Sequence, residues 1–428
     1  MSGEPPAHRS MSPLRSSSTQ LLDDVQELAE RIGPRGTGTS AEGAARAYVA
    51  ARLAAFGLPV ARRELRATHS QNAFPLASVA LALLAVAVYP HGGAAGRRAA
   101  AALALPTAPL LWRAIRLSTN PLHRLLPSVR SGNVVATVSP RERSEQRVVL
   151  LAHLDTNRAR LAWRSGAVRW LEPMTWLTLG MLGLLGGLYA AGAATRSRVA
   201  ARRLWRISLV PAAYAVAMLV TLVRDERTPF SPGAHDNAAS VAVALDTARV
   251  LAARPLRRTE VVLAFTGAEE TDHAGLYALL RDEPAAMRAA AFIGLEGLGS
   301  GRLTYLAREG LCDHVRADAA LLGAAARAAA QRPELGATEG EMTLEDEVTT
   351  LRRRGYRAIC IAGVDPGTGS LPHWHRTDDT ADTVSATFLR RASGYVRAVL
   401  EEIDGPDPEP QRSAVAGHAR EEAECVRS

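Results

Sequence analysis

The chain has 428 residues and a formal net charge of +8; 47% of its residues are apolar and 22% are charged. These proportions predict a folded chain with a sizeable core and exclude a disordered protein. All 51 basic residues are arginines, and they are scattered along the chain, so we expect no nucleic-acid partner. The three cysteines lack C-x-x-C spacing, which excludes a disulfide framework and a thiolate zinc finger.

The first segment of the chain is polar. Residues 1–19 contain no apolar stretch of the kind found in a secretory signal, and we expect them to form a disordered head. Two amphipathic helices are then predicted over residues 21–32 and 41–56, and Gly57 is a typical stop for the second.

Four uncharged or weakly charged apolar runs interrupt the chain at residues 73–89, 99–112, 173–195 and 207–223. A membrane span needs about 20 apolar residues, with a usable range of about 17–25. The runs form two pairs, which predict two transmembrane hairpins at about 73–116 and 170–224 and hence a multi-pass protein in the cell membrane. The alternative is that the runs are buried core helices. We expect small residues to allow close helix contact in the second hairpin, namely Gly180, Gly183, Gly186 and Gly187.

The arginines near these runs give two readings of the membrane orientation. Arg196, Arg198 and Arg202 lie in the connection between the third and fourth runs, which favours a cytoplasmic connection and an external main domain. Other arginines, such as Arg113 and Arg169, lie on the opposite flanks, and no export signal is predicted. We expect the main domain to lie in the cytoplasm.

Short apolar runs predict strands at residues 133–138, 147–152, 260–265, 290–295 and 356–362. Runs of this kind suit strands that are buried on both faces, as in a largely parallel sheet. Helices are predicted between them at 237–253, 312–331 and 385–403, so the pattern indicates an α/β fold. Residues 20–403 then form one domain with the two hairpins inserted, and residues 404–428 form a disordered tail.

Acidic and histidine side chains follow the predicted strands, where α/β proteins form their sites. They are His153 and Asp155, the pair Glu269 and Glu270, Glu296, and His375 with Asp379; Asp236 precedes a helix. Each has a structural alternative, such as a helix cap for Asp236, a helix-dipole contact for the glutamate pair or an arginine partner for Glu296. Together they are a ligand set for zinc or a similar divalent ion.

The two adjacent glutamates indicate a site for two metal ions. Such a site needs a bridging carboxylate, further ligands on each ion and a nearby carboxylate that takes a proton from water. Neighbouring side chains in a turn point in different directions, so one glutamate can bind metal while the other acts as the base.

These motifs resemble the zinc-dependent aminopeptidases of metallopeptidase family 28. The resemblance rests on LLAHLDT, GAHDNAAS, TGAEE, IGLEGLGSG and HWHRTDDT in this order, and it extends from about residue 20 to 400 apart from the hairpins. It implies a mixed, mostly parallel sheet with helices on both faces, interrupted here by four transmembrane helices. It also implies two Zn²⁺ ions, or another divalent metal, and a peptide substrate.

The resemblance further implies a role for each matching residue. One metal takes His153, Asp236 and Glu296, and the other takes Asp236, Glu270 and His375. Glu269 is then the general base, and Asp155 orients His153. Three positions depart from the family pattern. His235 stands where most relatives have an acid, Glu296 stands where many have aspartate although membrane-bound relatives often have glutamate, and Trp374 stands where a tyrosine often precedes the last histidine.

The sequence therefore predicts a membrane-anchored zinc exopeptidase that removes N-terminal residues from peptides. Two alternatives stay open on the same fold. One is an acyltransferase with a single zinc that resembles glutaminyl cyclases, and the other is a membrane scaffold without catalytic activity. The number of bound metals and metal-dependent hydrolysis distinguish the three.

Overall fold

The computed structural model describes residues 17–117, 125–160, 163, 166–343 and 345–405. Most of the head and tail predicted to be disordered lies outside these residues, although residues 17–19 belong to the first helix. The described strands form one nine-stranded sheet. They are β1 (Val60–Thr68), β2 (Ser128–Val138), β3 (Gln146–His153), β4 (Thr259–Thr266), β5 (Ala291–Glu296), β6 (Arg302–Glu309), β7 (Val315–Arg316), β8 (Thr338–Met342) and β9 (Arg357–Val364).

The sheet is mixed, and its centre is parallel. The strand order is β1-β2-β4-β3-β5-β9-β6-β7, with β8 beside β6. The pairs among β4, β3, β5 and β9 are parallel, whereas β1, β2, β6 and β7 pair in antiparallel fashion. Parallel strands end at the same edge of the sheet, so the residues that directly follow the four central strands lie close together.

Helices cover both faces of the sheet, as predicted. One face packs against α1 (Ser17–Gln26), α2 (Ser40–Ala55), α8 (Ser240–Ala253), α12 (Ala319–Gln331) and α14 (Ala386–Asp404). The other face packs against α10 (Ala274–Asp282), α11 (Pro284–Ala289) and α13 (Glu347–Arg353). The short helix α9 (Glu269–Asp272) lies between β4 and α10.

The helix predicted over residues 312–331 begins later than expected. Asp318 is its N-cap, and the Asp318 side chain accepts the backbone N–H groups of Ala320 and Leu321, each at 3.1 Å. The preceding Val315–Arg316 segment pairs with β6 instead. A side chain that satisfies free N–H groups fixes the start of a helix, and this explains the shorter α12.

The apolar runs form a separate bundle of helices. The prediction of four membrane spans is wrong, because two of the described helices, not four, are long and apolar enough to be spans. The helices are α3 (Ala73–Val88), α4 (Gly93–Ala104), α5 (Thr107–Leu117), α6 (Leu171–Ala194) and α7 (Arg198–Asp225). Among the described residues, only Val168–Ala194 and Arg198–Asp225 are long and apolar enough to cross a membrane. Helix α3 has 16 residues, about 24 Å, against a hydrocarbon core of about 30 Å.

The second apolar run fails as a span for a local reason. It is divided at Leu105 and Pro106 into α4 and α5, which have 12 and 11 residues. Pro106 has no N–H to donate to the preceding turn, and the helix breaks here, although α7 continues through Pro211.

Helices α3 to α7 pack around a common apolar core that includes Ala85, Ala104, Leu185 and Tyr189. Of the four glycines predicted at helix contacts, Gly186 makes one, because a Cβ there would lie 3.3 Å from the Cα of Leu105. The other three have open space at that position. Each insertion leaves the sheet domain and returns to it. The first insertion adjoins this domain at the start of α3 and the end of α5, and the second adjoins it at the start of α6 and the end of α7.

Candidate metal centre

The predicted site residues lie at the carboxyl ends of the central strands. His153 ends β3 and Glu296 ends β5. Glu269 and Glu270 begin α9, directly after the turn that follows β4. Two others come from loops: Asp236 from the helical turn 234–239 before α8, and His375 from the segment after β9. All six side chains are buried, with at most 7% exposed.

The histidines and carboxylates form two groups that share Asp236. In the first group, Nε2 of His153 lies 3.1 Å from Oδ1 of Asp236 and 3.5 Å from Oε2 of Glu296. In the second, Nε2 of His375 lies 3.1 Å from Oδ2 of Asp236 and 3.0 Å from Oε2 of Glu270. The structure therefore brings together all five residues that the resemblance assigns to metal binding, in the two sets it implies.

The donor set fits divalent metal ions. Within each of these groups the ligand atoms lie within 4.8 Å of one another, and the same holds for His153, Glu269 and Glu270. Oε1 of Glu270 is buried and has no hydrogen-bond partner among the described residues. A buried carboxylate oxygen without a donor is costly unless a cation balances it, and imidazole with carboxylate is a ligand set that zinc accepts.

Burial and mutual charge shift the protonation of this cluster. Burial disfavours charge on His153, but Glu296 and Glu269 outweigh it and hold the pKa of His153 well above its usual value. Burial also opposes the charge on His375, yet Glu270 and Asp236 raise the pKa of His375 to about 9. The pKa of Asp236 is lowered, because hydrogen bonds from both histidines exceed the effect of burial.

Asp155 supports the site in a different way from the one predicted. Nδ1 of His153 lies 3.0 Å from the backbone carbonyl of Asp155, while the carboxylate is 3.8 Å away. The carboxylate instead accepts the backbone N–H groups of Glu269 at 3.1 Å and Glu270 at 3.2 Å, and the hydroxyl of Thr37 at 2.7 Å. Asp155 thus fixes the Nδ1–H tautomer of His153 through its backbone and the two glutamates through its side chain.

Glu269 has a histidine beside it that sequence reasoning missed. Nε2 of His273 lies 3.3 Å from Oε1 of Glu269, and its Nδ1 lies 3.1 Å from the Thr350 hydroxyl. Burial lowers the pKa of His273, so its ring is neutral. The pKa of Glu269 is raised well above that of an ordinary glutamate, mainly by burial. The spacing of four residues from Glu269 in a helical turn was the available signal.

His235 and Trp374, which depart from the family pattern, lie beside the metal ligands. His235 is fully buried, and its ring contacts Asp379 at 2.9 Å and Ser300 at 2.8 Å. Asp379 also accepts the backbone N–H of Asp236 at 3.2 Å, so this aspartate anchors the loop that carries the bridging carboxylate. Trp374 packs on Trp163, with ring centroids 4.3 Å apart.

A buried arginine, also missed from the sequence, links the site loops. The guanidinium of Arg35 donates to the backbone carbonyls of Leu28, Gly33, Leu154, Pro232 and Gly233. Only 1% of Arg35 is exposed, and burial lowers its pKa to about 10. Arg35 thereby joins the segment after β3 to the segment before Asp236. Three of its partners, Leu154, Pro232 and Gly233, are more than 100 residues away along the chain, and local sequence carries no signal for them.

A sequence model described as Peptidase family M28 matches residues 222–400. This segment contains Asp236, Glu269, Glu270, Glu296 and His375. The match confirms the predicted enzyme class, a hydrolase of the metallopeptidase type. No curated protein sequence matches the chain significantly.

The fold is similar to that of solved zinc aminopeptidases and related enzymes. A zinc aminopeptidase from Bacillus subtilis aligns with a TM-score of 0.54 and 14% identity, over 92% of this chain and 96% of that one. An aminopeptidase from Aneurinibacillus sp. strain AM-1 gives 0.53 and 14%, over 92% and 97%. A glutaminyl cyclase from Porphyromonas gingivalis gives 0.53 and 16%, over 90% and 98%. These likenesses confirm the mixed α/β fold.

Proposed function

We propose that the chain is a zinc-dependent exopeptidase that removes N-terminal residues from peptides with two metal ions. The observation that carries the proposal is the shared carboxylate. Asp236 has one oxygen 3.1 Å from His153 and the other 3.1 Å from His375. A carboxylate with a histidine on each oxygen is the arrangement that two bridged ions need, whereas a single ion needs only one of the two groups.

The residues around this centre have distinct tasks in the proposed reaction. Two divalent ions held here would polarise the scissile carbonyl and increase the acidity of the attacking water. Glu269 removes the proton from that water and delivers it to the leaving amine. Asp155 holds the backbone of Glu269 and Glu270 in place. His273 orients the carboxylate of Glu269.

The test replaces the proposed general base, Glu269, and measures the number of metal ions bound per chain. We expect Glu269→Gln to lower hydrolysis of an aminoacyl-anilide panel by about 100-fold to 10,000-fold, while elemental analysis still gives close to two ions per chain. Glu270→Gln, its neighbour, should instead lose metal together with activity. Glu401→Gln, on the exposed surface of α14, is the matched control and should retain both.

The same measurements distinguish the two alternatives. One ion per chain, with cyclisation of N-terminal glutamine rather than hydrolysis, would support a cyclase of the kind known from the P. gingivalis structure. Absence of metal-dependent turnover with every peptide would support a scaffold. Full activity in Glu269→Gln would refute the role of that residue.

We also propose that α6 and α7 anchor the enzyme in a membrane, with α3, α4 and α5 packed against them. Helices of 24 and 28 residues are about 36 and 42 Å long, enough to cross the hydrocarbon core. Large exposed apolar side chains are concentrated on these two helices, among them Trp176, Val210 and Val220. We expect the protein to sediment with membranes after a carbonate wash. Protease added outside spheroplasts should leave the sheet domain intact if it is cytoplasmic, and cleavage would contradict that orientation.

A further inference from the structure

The cavity that contains the metal centre continues between the apolar helices. It has a volume of about 590 Å³, and its lining includes His153, Glu269 and His375 at one end. At the other end it is lined by residues from α3, α5, α6 and α7. The site is therefore continuous with the helix bundle.

The helix-lined part extends about two helical turns from the sheet domain. On α6 the lining runs from Leu171 to Thr178, and on α7 it runs from Met218 to Asp225. At 1.5 Å per residue, each stretch corresponds to about 10 Å. The two stretches lie at the helix ends that adjoin the metal centre. The helix-lined part of the cavity therefore extends from the metal centre into the bundle.

Most of the wall of this part is apolar. Its side chains include Phe74, Leu111, Ile115, Met174, Met218 and Leu222. Polar lining residues such as Gln71 and Arg160 lie in the segments that join the helices to the metal centre. They contact each other. Asp225, at the end of α7 that adjoins the metal centre, also lines the cavity, and the positions further along α6 and α7 are apolar or threonine.

The three threonines of the deeper wall use their hydroxyls within the bundle. Thr175 donates to the carbonyl of Leu171 at 2.7 Å. Thr178 donates to the carbonyl of Met174 at 2.8 Å and contacts the Tyr214 hydroxyl at 2.7 Å. Thr221 donates to the carbonyl of Ala217 at 3.0 Å. A peptide backbone in this space would leave its N–H and C=O groups without partners, which costs free energy, whereas an aliphatic chain has no such groups.

We propose that the substrates are amphiphilic amides with an unbranched aliphatic chain, which lies between α3, α5, α6 and α7 while the scissile amide lies beside Glu269. This inference rests on the proposed exopeptidase function and specifies its substrate class. The chain is attached either to the N-terminal residue or to the leaving amine, and the experiment has one arm for each attachment.

The experiment measures kcat/KM for two series of substrates with the protein in lipid nanodiscs. In one series the N-terminal residue of an anilide carries a linear side chain from methyl to decyl. In the other, alanine amides carry N-alkyl chains from butyl to dodecyl. We expect kcat/KM to rise in at least one series by about fourfold per methylene, equivalent to about 0.8 kcal/mol, and to level off once the chain reaches about 10 Å.

Matched variants distinguish the cavity from simple partitioning into lipid. Thr221→Phe fills the cavity, whereas Val220→Phe adds the same ring at the adjacent, outward position of α7, which is 63% exposed and does not line the cavity. We expect Thr221→Phe to lower the ratio of long-chain to short-chain kcat/KM at least tenfold and Val220→Phe to leave the ratio unchanged. Ala114→Phe, from the opposite wall on α5, provides a second test if Thr221→Phe folds poorly.

A binding measurement separates failure of this inference from failure of the proposed function. In the Glu269→Gln background, a bromoalkyl amide should quench tryptophan fluorescence, since Trp163 and Trp374 line the cavity. Loss of this quenching in Thr221→Phe but not in Val220→Phe supports the inference even if no substrate is hydrolysed. Hydrolysis of short substrates with a kcat/KM that does not change with chain length would overturn the inference. Equal quenching in the two variants would also overturn it.

Discussion

The Asp155 carboxylate accepts the backbone N–H of Glu269 at 3.1 Å, which fixes the start of α9 against the end of β3. Its second oxygen accepts the N–H of Glu270 at 3.2 Å. One buried aspartate therefore sets the positions of the proposed base and of a proposed metal ligand. Glu269 and Glu270 depend on it although it contacts neither side chain.

This relationship predicts the effect of Asp155→Asn. The amide group cannot accept from both backbone donors in the same way, so the α9 turn should shift. We expect metal affinity to fall about 10-fold to 100-fold, measured by competition with a chromogenic chelator. Thr37→Val removes only the hydroxyl that contacts Asp155, and should have a smaller effect. Unchanged affinity in Asp155→Asn would contradict this role.

The environment of Glu269 predicts the acid side of the pH profile. Its pKa is raised well above that of an ordinary glutamate because it is buried, with the charge of Glu270 adding to the effect and that of His153 opposing it. A general base works only when deprotonated, and bound cations would lower the pKa of Glu269 from its metal-free value. We therefore expect kcat/KM of the metal-loaded enzyme to fall on the acid side, at a pH below that metal-free value.

His273→Asn tests the contact between His273 and Glu269. Asparagine tolerates the left-handed backbone at this position, where φ is +49°, but its shorter side chain no longer supports the Glu269 carboxylate. Nε2 of His273 lies 3.3 Å from Oε1 of Glu269. Loss of this contact should raise the pKa of Glu269 and move the acid limb of kcat/KM upward by up to about one pH unit. His69→Asn, at an exposed position, should leave the limb in place. An unmoved limb in His273→Asn would show that the contact does not act on the base.

Much of the candidate site could be predicted because its ligands directly follow buried strands. His153 and Glu296 are the last residues of β3 and β5, and the apolar runs that precede them identify both strands. Strand β1 was missed, since VARRELRAT is rich in arginine and pairs only with β2 at the sheet edge. His273 and Arg35 were missed because their functions depend on contacts across the fold.

The helix bundle shows a different limit of sequence reasoning. Hydropathy correctly identified the helices around Leu182 and Ala212. The second run is short and contains Pro106 and Pro109, which makes it weak as a span by itself, and the helix does break at Pro106. The cavity between these helices was outside the reach of the sequence. It arises because four helix ends, distant along the chain, meet beside the metal centre.

Metal removal should destabilise the protein in a pH-dependent way. In the metal-free protein the pKa of His375 is raised to about 9. A raised pKa means that the protonated histidine stabilises the fold below about pH 6.5, and this contribution is lost as the pH rises through 9. It amounts to about 3 kcal/mol. Bound metal requires neutral histidines and becomes tighter with rising pH.

The difference in melting midpoint between metal-loaded and chelated protein should therefore grow from pH 6 to pH 9. Scanning calorimetry at a fixed scan rate, with and without chelator, measures it. The His375→Gln variant lacks this titrating group and should show a weaker pH dependence in the chelated state. A difference that shrinks over this range would contradict the assignment of His375 as a ligand.

Arg35 should be among the most important single side chains for stability. Its guanidinium satisfies five backbone carbonyls, three in the segments around Leu154 and Gly233 and two, of Leu28 and Gly33, in the segment before Arg35. Arg35→Met keeps the apolar stem but leaves those buried acceptors without donors, which should lower the free energy of unfolding by about 3–5 kcal/mol. Arg31→Met, in the same segment but exposed and paired only with Glu27, should change it by less than about 0.5 kcal/mol. Because the carbonyls of Leu154 and Gly233 flank the loops of His153 and Asp236, Arg35→Met should also weaken metal binding, whereas a loss of stability with unchanged metal affinity would limit Arg35 to a role in folding.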